Sequence, residues 1–176
     1  MNAAKTQVQQ WIETVVVGLN FCPFAKRELP ELRLKCVEHS KKQEVLQALL
    51  DECAYLDAHP DTATSILILT EGYGDFYTYL ELVDVAEALL AAEDYDGVYQ
   101  LASFHPEYCF EGEALDDPAN FTNRAPWPLL HLLREDALST VLESYPHPEE
   151  IPARNIALAR EKGLMFMQGL LNAARA

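Results

Sequence analysis

Four segments of the chain have the hydrophobic pattern of β-strands. Residues 33–39 alternate between polar and apolar side chains, which is typical of a strand with one buried face. Residues 65–70 (SILILT) have a continuous apolar run at their centre, which is typical of a strand buried on both faces. Residues 98–104 predict a third strand. Residues 129–133 (LLHLL) predict a fourth strand, with a helix start as the alternative, because two prolines shortly precede them.

Helices are predicted before, between and after these strands, each from a 3.6-residue hydrophobic period or a capping signal. In chain order the signals are the amphipathic segment from Val8 to Leu19, the capping box Ser40–Gln43, the N-cap Asp75, the N-cap Asp136 and the helix-opening Pro152. The last helix is predicted to continue to Leu170, with Phe166 and Met167 facing inward. The order of elements predicts an α/β (or α+β) fold: a small mixed sheet of about four strands with covering helices, in a single layered domain over residues 1–176.

Charge and cysteine usage narrow the classes of function. The chain has 28 acidic and 13 basic residues and a net charge of −15, so it should repel phosphate backbones and anionic membranes. We therefore expect neither a nucleic-acid partner nor a membrane partner. The four cysteines form no Cys-x-x-Cys pair, and the first residues lack a signal-peptide pattern, which together predict a cytoplasmic protein with free thiols.

The long aperiodic stretch over residues 105–128 is the most site-like part of the chain. Connections of this length without regular structure are uncommon in compact domains and are usually binding loops or disorder. Disorder is disfavoured because Tyr108, Phe110, Phe121 and Trp127 need burial. The stretch follows a predicted central strand, and ligands of open α/β sheets bind at the carboxyl ends of the strands. We therefore interpret residues 105–128 as a binding loop.

Two residues in this stretch are candidates for acid–base chemistry and anion binding. His105 is aimed by the stiff backbone before Pro106 and has an ordinary pKa near neutrality, so it is a candidate general acid or base; the alternative is a hydrogen-bonded structural histidine. Arg124 lies among turn-forming asparagines that would hold its guanidinium still for a carboxylate or phosphate. The alternative for Arg124 is a salt bridge with Asp116 or Asp117.

Further candidates surround these two. Cys22 is held by the following proline and would become a nucleophile if paired with His105; the alternative is a small buried apolar residue. Asp117 is a candidate carboxylate base, with a turn residue as the alternative. The other candidate substrate-binding residues are Asn123, Asn120, Arg134, His131, Tyr108 and Ser103. If residues 129–133 pair antiparallel with the preceding strand, His131 returns towards His105. No metal-ligand spacing or nucleotide motif is present, so no metal is predicted and the cofactor is left open.

Three blocks of the sequence resemble one bacterial family, catalogued as domain of unknown function 1415. The blocks are GLNFCPFA from Gly18, LASFHP from Leu101, and NxTNRxP from Asn120 leading to HLLRE from His131. The resemblance spans nearly the whole chain but implies no activity, because none is assigned to the family. In the family pattern a serine usually follows the Asn-Arg pair and a tyrosine or similar aromatic stands between the prolines. This chain has Ala125 and Trp127 instead, which argues against an essential hydroxyl at position 125.

The sequence leaves two hypotheses for the function. The first is an enzyme acting on a small anionic metabolite, with proton transfer by His105 and anion binding by Arg124. The second is a non-catalytic binding or interaction protein in which the polar side chains between residues 103 and 134 order the long loop. The first hypothesis expects the segments near residues 22, 105 and 124 to meet in one cavity. The oligomeric state is left open.

Overall fold

The computed structural model, which describes residues 2–176, contains one mixed sheet of four strands. The strands are β1 (Leu32–Val37), β2 (Thr64–Leu69), β3 (Tyr99–Phe104) and β4 (Leu129–Arg134), in the spatial order β1-β2-β4-β3. β1 pairs parallel with β2, whereas β4 pairs antiparallel with both β2 and β3. β1, β2 and β3 therefore run in one direction and end at the same edge of the sheet. The predicted mixed sheet is confirmed.

Within residues 2–176, seven α-helices accompany the sheet. They are α1 (Ala3–Trp11, continued by a π-helical turn over Ile12–Val17), α2 (Ala25–Glu28), α3 (Lys42–Ala58), α4 (Phe76–Ala92), α5 (Glu135–Ser144), α6 (Ile151–Lys162) and α7 (Leu164–Arg175). Short 3-10 turns occur at Leu29–Glu31, Pro118–Thr122 and Pro148–Glu150. None of the helices in residues 2–176 combines the length and the apolar composition that crossing a bilayer requires.

The sheet separates two apolar cores. One core packs α3 and α4 against one face, with Leu49, Tyr79 and Leu130 among its buried members. The other packs α1, α6 and α7 against the opposite face, with Val8, Met167 and Leu129 among its buried members. All six residues of β2 are buried, because this central strand has helices on both sides. Its apolar sequence had predicted that position.

Three predicted boundaries are wrong. The predicted capping box does not form, because Lys41 is the N-cap of α3 and makes no side-chain cap bond. α5 begins at Glu135 rather than after Asp136. The predicted last helix is two helices. Gly163 adopts a φ of 81°, which residues with a side chain rarely adopt, and this interrupts the helix. After this break Phe166 lies 45% exposed instead of facing inward.

A buried ion pair joins α3 to the sheet. The Glu52 side chain is almost fully buried and accepts hydrogen bonds from Arg33 Nε at 2.7 Å and Nη2 at 3.0 Å. Ser65 Oγ donates a third bond to Glu52 at 2.6 Å. Burial acts to raise the pKa of Glu52, but the bonds from Arg33 and Ser65 outweigh it, so the pKa is lowered and the group is ionised. The pair is a structural element that the sequence analysis did not predict.

Candidate functional site

A cleft of about 1220 Å³ lies at the sheet edge where β2 and β3 end. Its walls are the turn that leads into α4 (residues 74–77), the segment after β3 (residues 106–113) and the last turns of α7. The carboxyl edge of parallel strands is the usual ligand position in open α/β sheets. The cleft therefore lies where the sequence analysis expected a binding site, and the long loop forms one of its walls.

Two amide side chains, those of Asn120 and Asn123, hold this loop in place. Asn120 is fully buried; its Oδ1 accepts a hydrogen bond from Phe110 N at 3.0 Å, and its Nδ2 donates to Ala114 O at 2.8 Å. Asn123 Nδ2 donates to Ser103 O at 3.1 Å. Asn120, Asn123 and Ser103 were predicted to bind substrate, but none of them lines the cleft. Their polar atoms are used to hold its wall together.

Arg124 does line the cleft. Its Nε donates to Tyr108 O at 3.0 Å and its Nη2 donates to Leu115 O at 2.7 Å, which fixes the plane of the guanidinium. A guanidinium has five N–H donors, so three remain without a partner within residues 2–176. Burial lowers the pKa of Arg124, and no carboxylate of the described chain pairs with it. Its guanidinium is therefore oriented, and no carboxylate is bonded to it.

The alternative partner for Arg124, Asp117, is bound elsewhere. Arg160 donates from Nε to Asp117 Oδ1 at 3.1 Å and from Nη2 to Oδ2 at 3.0 Å. Asp117 Oδ1 also accepts from Ala119 N at 2.8 Å and caps the 3-10 turn that follows. The bonds from Arg160 are the main cause that lowers the pKa of Asp117. Asp117 does not line the cleft, so the structure does not bring this predicted catalytic residue to it.

Arg175 is a second arginine in the cleft, and the sequence analysis missed it. It lies in the last turn of α7, whose backbone is held by Gln7, with Nε2 donating to Arg175 O at 2.6 Å. Within residues 2–176 its side chain has no carboxylate partner. No local pattern identifies this residue, because only the packing of α7 against α1 places it opposite the loop.

Carboxylates line the cleft as well. Asp75 is the N-cap of α4, where its Oδ2 accepts from Thr78 N at 2.8 Å and this bond lowers the pKa of Asp75. Glu113 pairs with Arg160 at 3.0 Å. Glu107 and Glu111 are exposed along the wall. The Asp75 cap was predicted and is confirmed.

His105 is fully buried and does not line the cleft. Its Nδ1 accepts from Glu107 N at 3.0 Å, so Nε2 carries the proton and donates to Tyr73 O at 2.9 Å. Burial is the main cause that lowers its pKa. Both ring nitrogens are bonded, and the ring packs on Phe76 and Tyr79 with centroids 5.2 and 4.9 Å away. This geometry matches the structural alternative for His105, whose two bonds tie the turn before α4 to the loop.

Cys22 and His131 line a different cavity, of about 220 Å³, between the sheet and the N-terminal helices. The two cavities have no lining residue in common. The expectation that Cys22, His105 and Arg124 share one cavity is therefore wrong. Cys22 lies at the cavity that contains His131, Arg124 lies at the cleft, and His105 is buried beside the cleft wall.

The pairing of β4 accounts for the last two candidates. β4 pairs antiparallel with β3, but the register places His131 opposite Ala102 rather than near His105. Arg134 faces the other side of the sheet, as alternation on a strand demands. Its guanidinium donates to Leu56 O, in the last turn of α3, at 2.7 Å and to Thr62 O, in the loop that follows, at 3.1 Å. Arg134 therefore holds α3 on the sheet.

The described residues contain one group of side chains with the spacing of a metal site. Its ligand atoms lie within 4.8 Å of one another and belong to His147, Glu149 and Glu150, all of them exposed. None of the three lines the cleft or the second cavity.

The chain belongs to the family described as "Protein of unknown function (DUF1415)", whose model matches residues 3–169. The resemblance seen in the three sequence blocks is thus confirmed over nearly the whole chain. No curated protein and no solved structure matches the chain.

Proposed function

We propose that this member of the family binds a small carboxylate- or phosphate-bearing metabolite in the cleft, with Arg124 and Arg175 as its anion ligands. One observation carries the proposal: two arginines line a cleft at the carboxyl edge of the strands, and neither pairs with a carboxylate of the described chain. Arg124 is partly buried, whereas Arg175 is exposed.

The environment of Arg124 favours an anion as the missing partner. Removing a cation from water without a counter-ion costs several kcal/mol, by order of magnitude, unless hydrogen bonds or a ligand offset the cost. The carbonyls of Tyr108 and Leu115 supply two bonds and orient the group. The remaining N–H donors suit a planar carboxylate or a phosphate, which a fixed guanidinium binds through two bonds.

The charge of the cleft wall favours a small ligand over a polyanion. Four carboxylate side chains line the cleft, those of Asp75, Glu107, Glu111 and Glu113, against two arginines. A nucleic-acid backbone would meet these carboxylates along its length, whereas a single carboxylate or phosphate group would meet fewer of them. The net charge of −15 acts in the same direction.

Enzymatic turnover of the same anion is the second candidate function, and the position of Glu107 favours it. Its exposed carboxylate lines the cleft and is close enough to act electrostatically on both Arg124 and Arg175. In this case Glu107, rather than His105, would exchange a proton with the bound ligand. The alternative of a purely non-catalytic interaction protein rests on the hydrogen bonds of Asn120 and Asn123, which order the loop under either hypothesis.

The test is a calorimetric titration of the protein with inorganic phosphate and with succinate. Arg124→Gln should weaken binding of the preferred anion at least tenfold, and Arg124→Lys should restore only part of the affinity because it lacks the fork of donors. Arg27→Gln is the matched control, since Arg27 is exposed and pairs only with its neighbour Glu28. Absence of binding in the unmodified protein, or equal losses in both glutamine variants, would refute the proposal.

Turnover is tested separately on phosphorylated and carboxylated metabolites, with products followed by proton NMR. Glu107→Gln should abolish product formation without weakening phosphate binding, because it removes a negative charge near the two arginines. Glu111→Gln is the control, because Glu111 is also exposed in the cleft wall. Binding without any product would leave anion binding as the function.

We also propose a cytosolic location. The support is that all four cysteines, Cys22, Cys36, Cys53 and Cys109, are free thiols. Fractionation of cells of the source organism, with detection by a specific antibody, tests the location.

A further inference from the structure

The second cavity, of about 220 Å³, is apolar over nearly all of its wall. We propose that it binds a small uncharged ring molecule carrying one hydrogen-bond donor, of which phenol is the simplest example, and that His131 Nδ1 accepts the hydrogen bond from that donor. We call this cavity the ring pocket; it is lined among others by Trp11, Val16, Cys22, Ala102, His131 and Leu138. The inference does not depend on anion binding in the cleft.

The walls of the ring pocket come from separate elements. Its floor is one face of the sheet, including Ile66 of β2 and Ala102 of β3, and His131 of β4 lies between them in register. Trp11 of α1 and Leu138 of α5 cover the floor. α5 has no fully buried residue, so this helix forms a wall without completing a packed core. The pocket is an unfilled space between layers of the fold, and its apolar wall favours an apolar ligand.

One hydroxyl decides which nitrogen of His131 carries the proton. Thr64 Oγ1 donates its single hydrogen to Leu132 O at 2.6 Å. The same oxygen is 2.6 Å from His131 Nε2, so in this contact it acts as the acceptor and Nε2 is the donor. In a neutral ring Nδ1 then has a free lone pair, and it has no hydrogen-bond partner within residues 2–176. The ring pocket thus presents one fixed acceptor.

The ring is neutral at physiological pH. Burial lowers the pKa of His131 to about 4. The charged residues that line the pocket are Glu28 and Arg134, and the Arg134 guanidinium is already bonded to Leu56 O and Thr62 O. A neutral acceptor in apolar surroundings binds an O–H or N–H donor and gives a charged group no compensation. This combination selects phenols, indoles and similar uncharged rings over carboxylates and phosphates.

The volume suits a single ring. A buried apolar cavity of about 150 Å³ is enough to hold benzene. The ring pocket, at about 220 Å³, has room for a benzene ring with one or two substituents.

Two cysteines provide a built-in reporter for each cavity. Cys22 lines the ring pocket and Cys109 lines the cleft, and both are partly exposed. Alkylation by iodoacetamide is followed at each cysteine by peptide mass spectrometry, with phenol, toluene or inorganic phosphate added. Phenol should slow the alkylation of Cys22 in a saturable manner and leave that of Cys109 unchanged. Toluene should protect Cys22 with about fivefold lower affinity, because it lacks the donor.

Variants test the role of His131 as the hydrogen-bond acceptor and the ring pocket as the binding site. His131→Leu should remove the preference for phenol over toluene while toluene still protects Cys22. Ala102→Leu fills the pocket and should abolish protection by both, with Val16→Phe as a second filling variant if the first fails to fold by circular dichroism. Arg124→Gln should leave protection by phenol unchanged.

Three results would overturn the inference: no protection of Cys22 by phenol or toluene, equal protection of Cys22 and Cys109, or an unchanged preference for phenol in His131→Leu. Failure of phosphate to bind in the cleft would not affect any of them, so the two proposals fail independently.

Discussion

The surroundings of His105 and of His131 show opposite uses of the same side chain. Both nitrogens of His105 bond to backbone groups, of Tyr73 and Glu107, in a filled interior. His131 bonds through one nitrogen, to Thr64, and lines a cavity. Burial lowers the pKa of both rings, so the pKa does not distinguish them. The number of bonded ring nitrogens distinguishes the two histidines, because a ring with both nitrogens bonded must lose a hydrogen bond before it can bind a ligand.

The largest expected effect comes from His105→Leu. The variant leaves Tyr73 O and Glu107 N without their partner in a buried place, and we expect the free energy of unfolding to fall by about 4 kcal/mol. Urea denaturation measures it. His39→Leu is the control, because that histidine is exposed and should change stability by less than about 0.5 kcal/mol. A loss below about 1 kcal/mol for His105→Leu would mean that the ring is not needed to hold the cleft wall.

Asn120→Ala should have the next largest effect on the cleft region. It removes the buried amide that accepts from Phe110 N and donates to Ala114 O, so we expect a loss of about 3 kcal/mol together with weaker binding of phosphate. Urea denaturation and calorimetry measure the two quantities. An unchanged phosphate affinity in a destabilised protein would separate the loop wall from the anion site.

The pH dependence of stability tests the region around His131. Its folded pKa of about 4 lies below its ordinary value, so between these two values the unfolded chain binds more protons. The stabilising contribution of the neutral ring is therefore complete above about pH 6.5 and is lost as the pH falls towards the folded pKa.

Comparison with His131→Leu isolates this contribution, because His105 and the paired carboxylates remain in both proteins. We expect the unmodified protein to lose about 2 kcal/mol more than the variant between pH 7 and pH 4, a figure reduced for the partial exposure of the ring. Denaturation at both pH values gives the difference. Parallel losses would show that His131 titrates normally.

Arg160→Gln should have the smallest effect. The ion pairs of Arg160 with Glu113 and Asp117 lie at the surface, where such pairs contribute up to about 1 kcal/mol. We expect the phosphate affinity to stay within about twofold, measured by calorimetry. A loss of more than about 2 kcal/mol in urea denaturation would make these pairs part of the support of the cleft.

Local signals predicted the elements well and their ends less well. The apolar run in β2 and the periodicity of α1 concern neighbours along the chain, so they are readable without tertiary contacts. The capping box at Ser40 was wrong because Lys41, one residue later, starts the helix without a side-chain cap. The break at Gly163 was missed because the apolar period continues across it into α7.

The candidate site was predicted in part. The sequence predicted that the loop after β3 lies at the carboxyl edge of the sheet, and two of its candidate residues, Arg124 and Tyr108, line the cleft there. It could not find Arg175, which is distant along the chain, and it could not tell that Asn120 and Asn123 bond inward. Amide side chains in a long loop suit ligand binding and loop folding equally, and only their distances to backbone groups decide between the two.

The amino-acid sequence by itself determined the kinds of elements, their order and the acidic charge. Hydrophobic period and prolines act on neighbouring residues along the chain, and the net charge is the sum over all ionisable groups. Only the tertiary structure decided which groups meet. β4 enters between β2 and β3, and this register brings Thr64 to His131 across 67 residues. The packing of α7 likewise brings Arg175 to the cleft that holds Arg124. Contacts of this kind depend on how helices pack on both faces of the sheet at once, so they cannot be read from any single segment of the sequence.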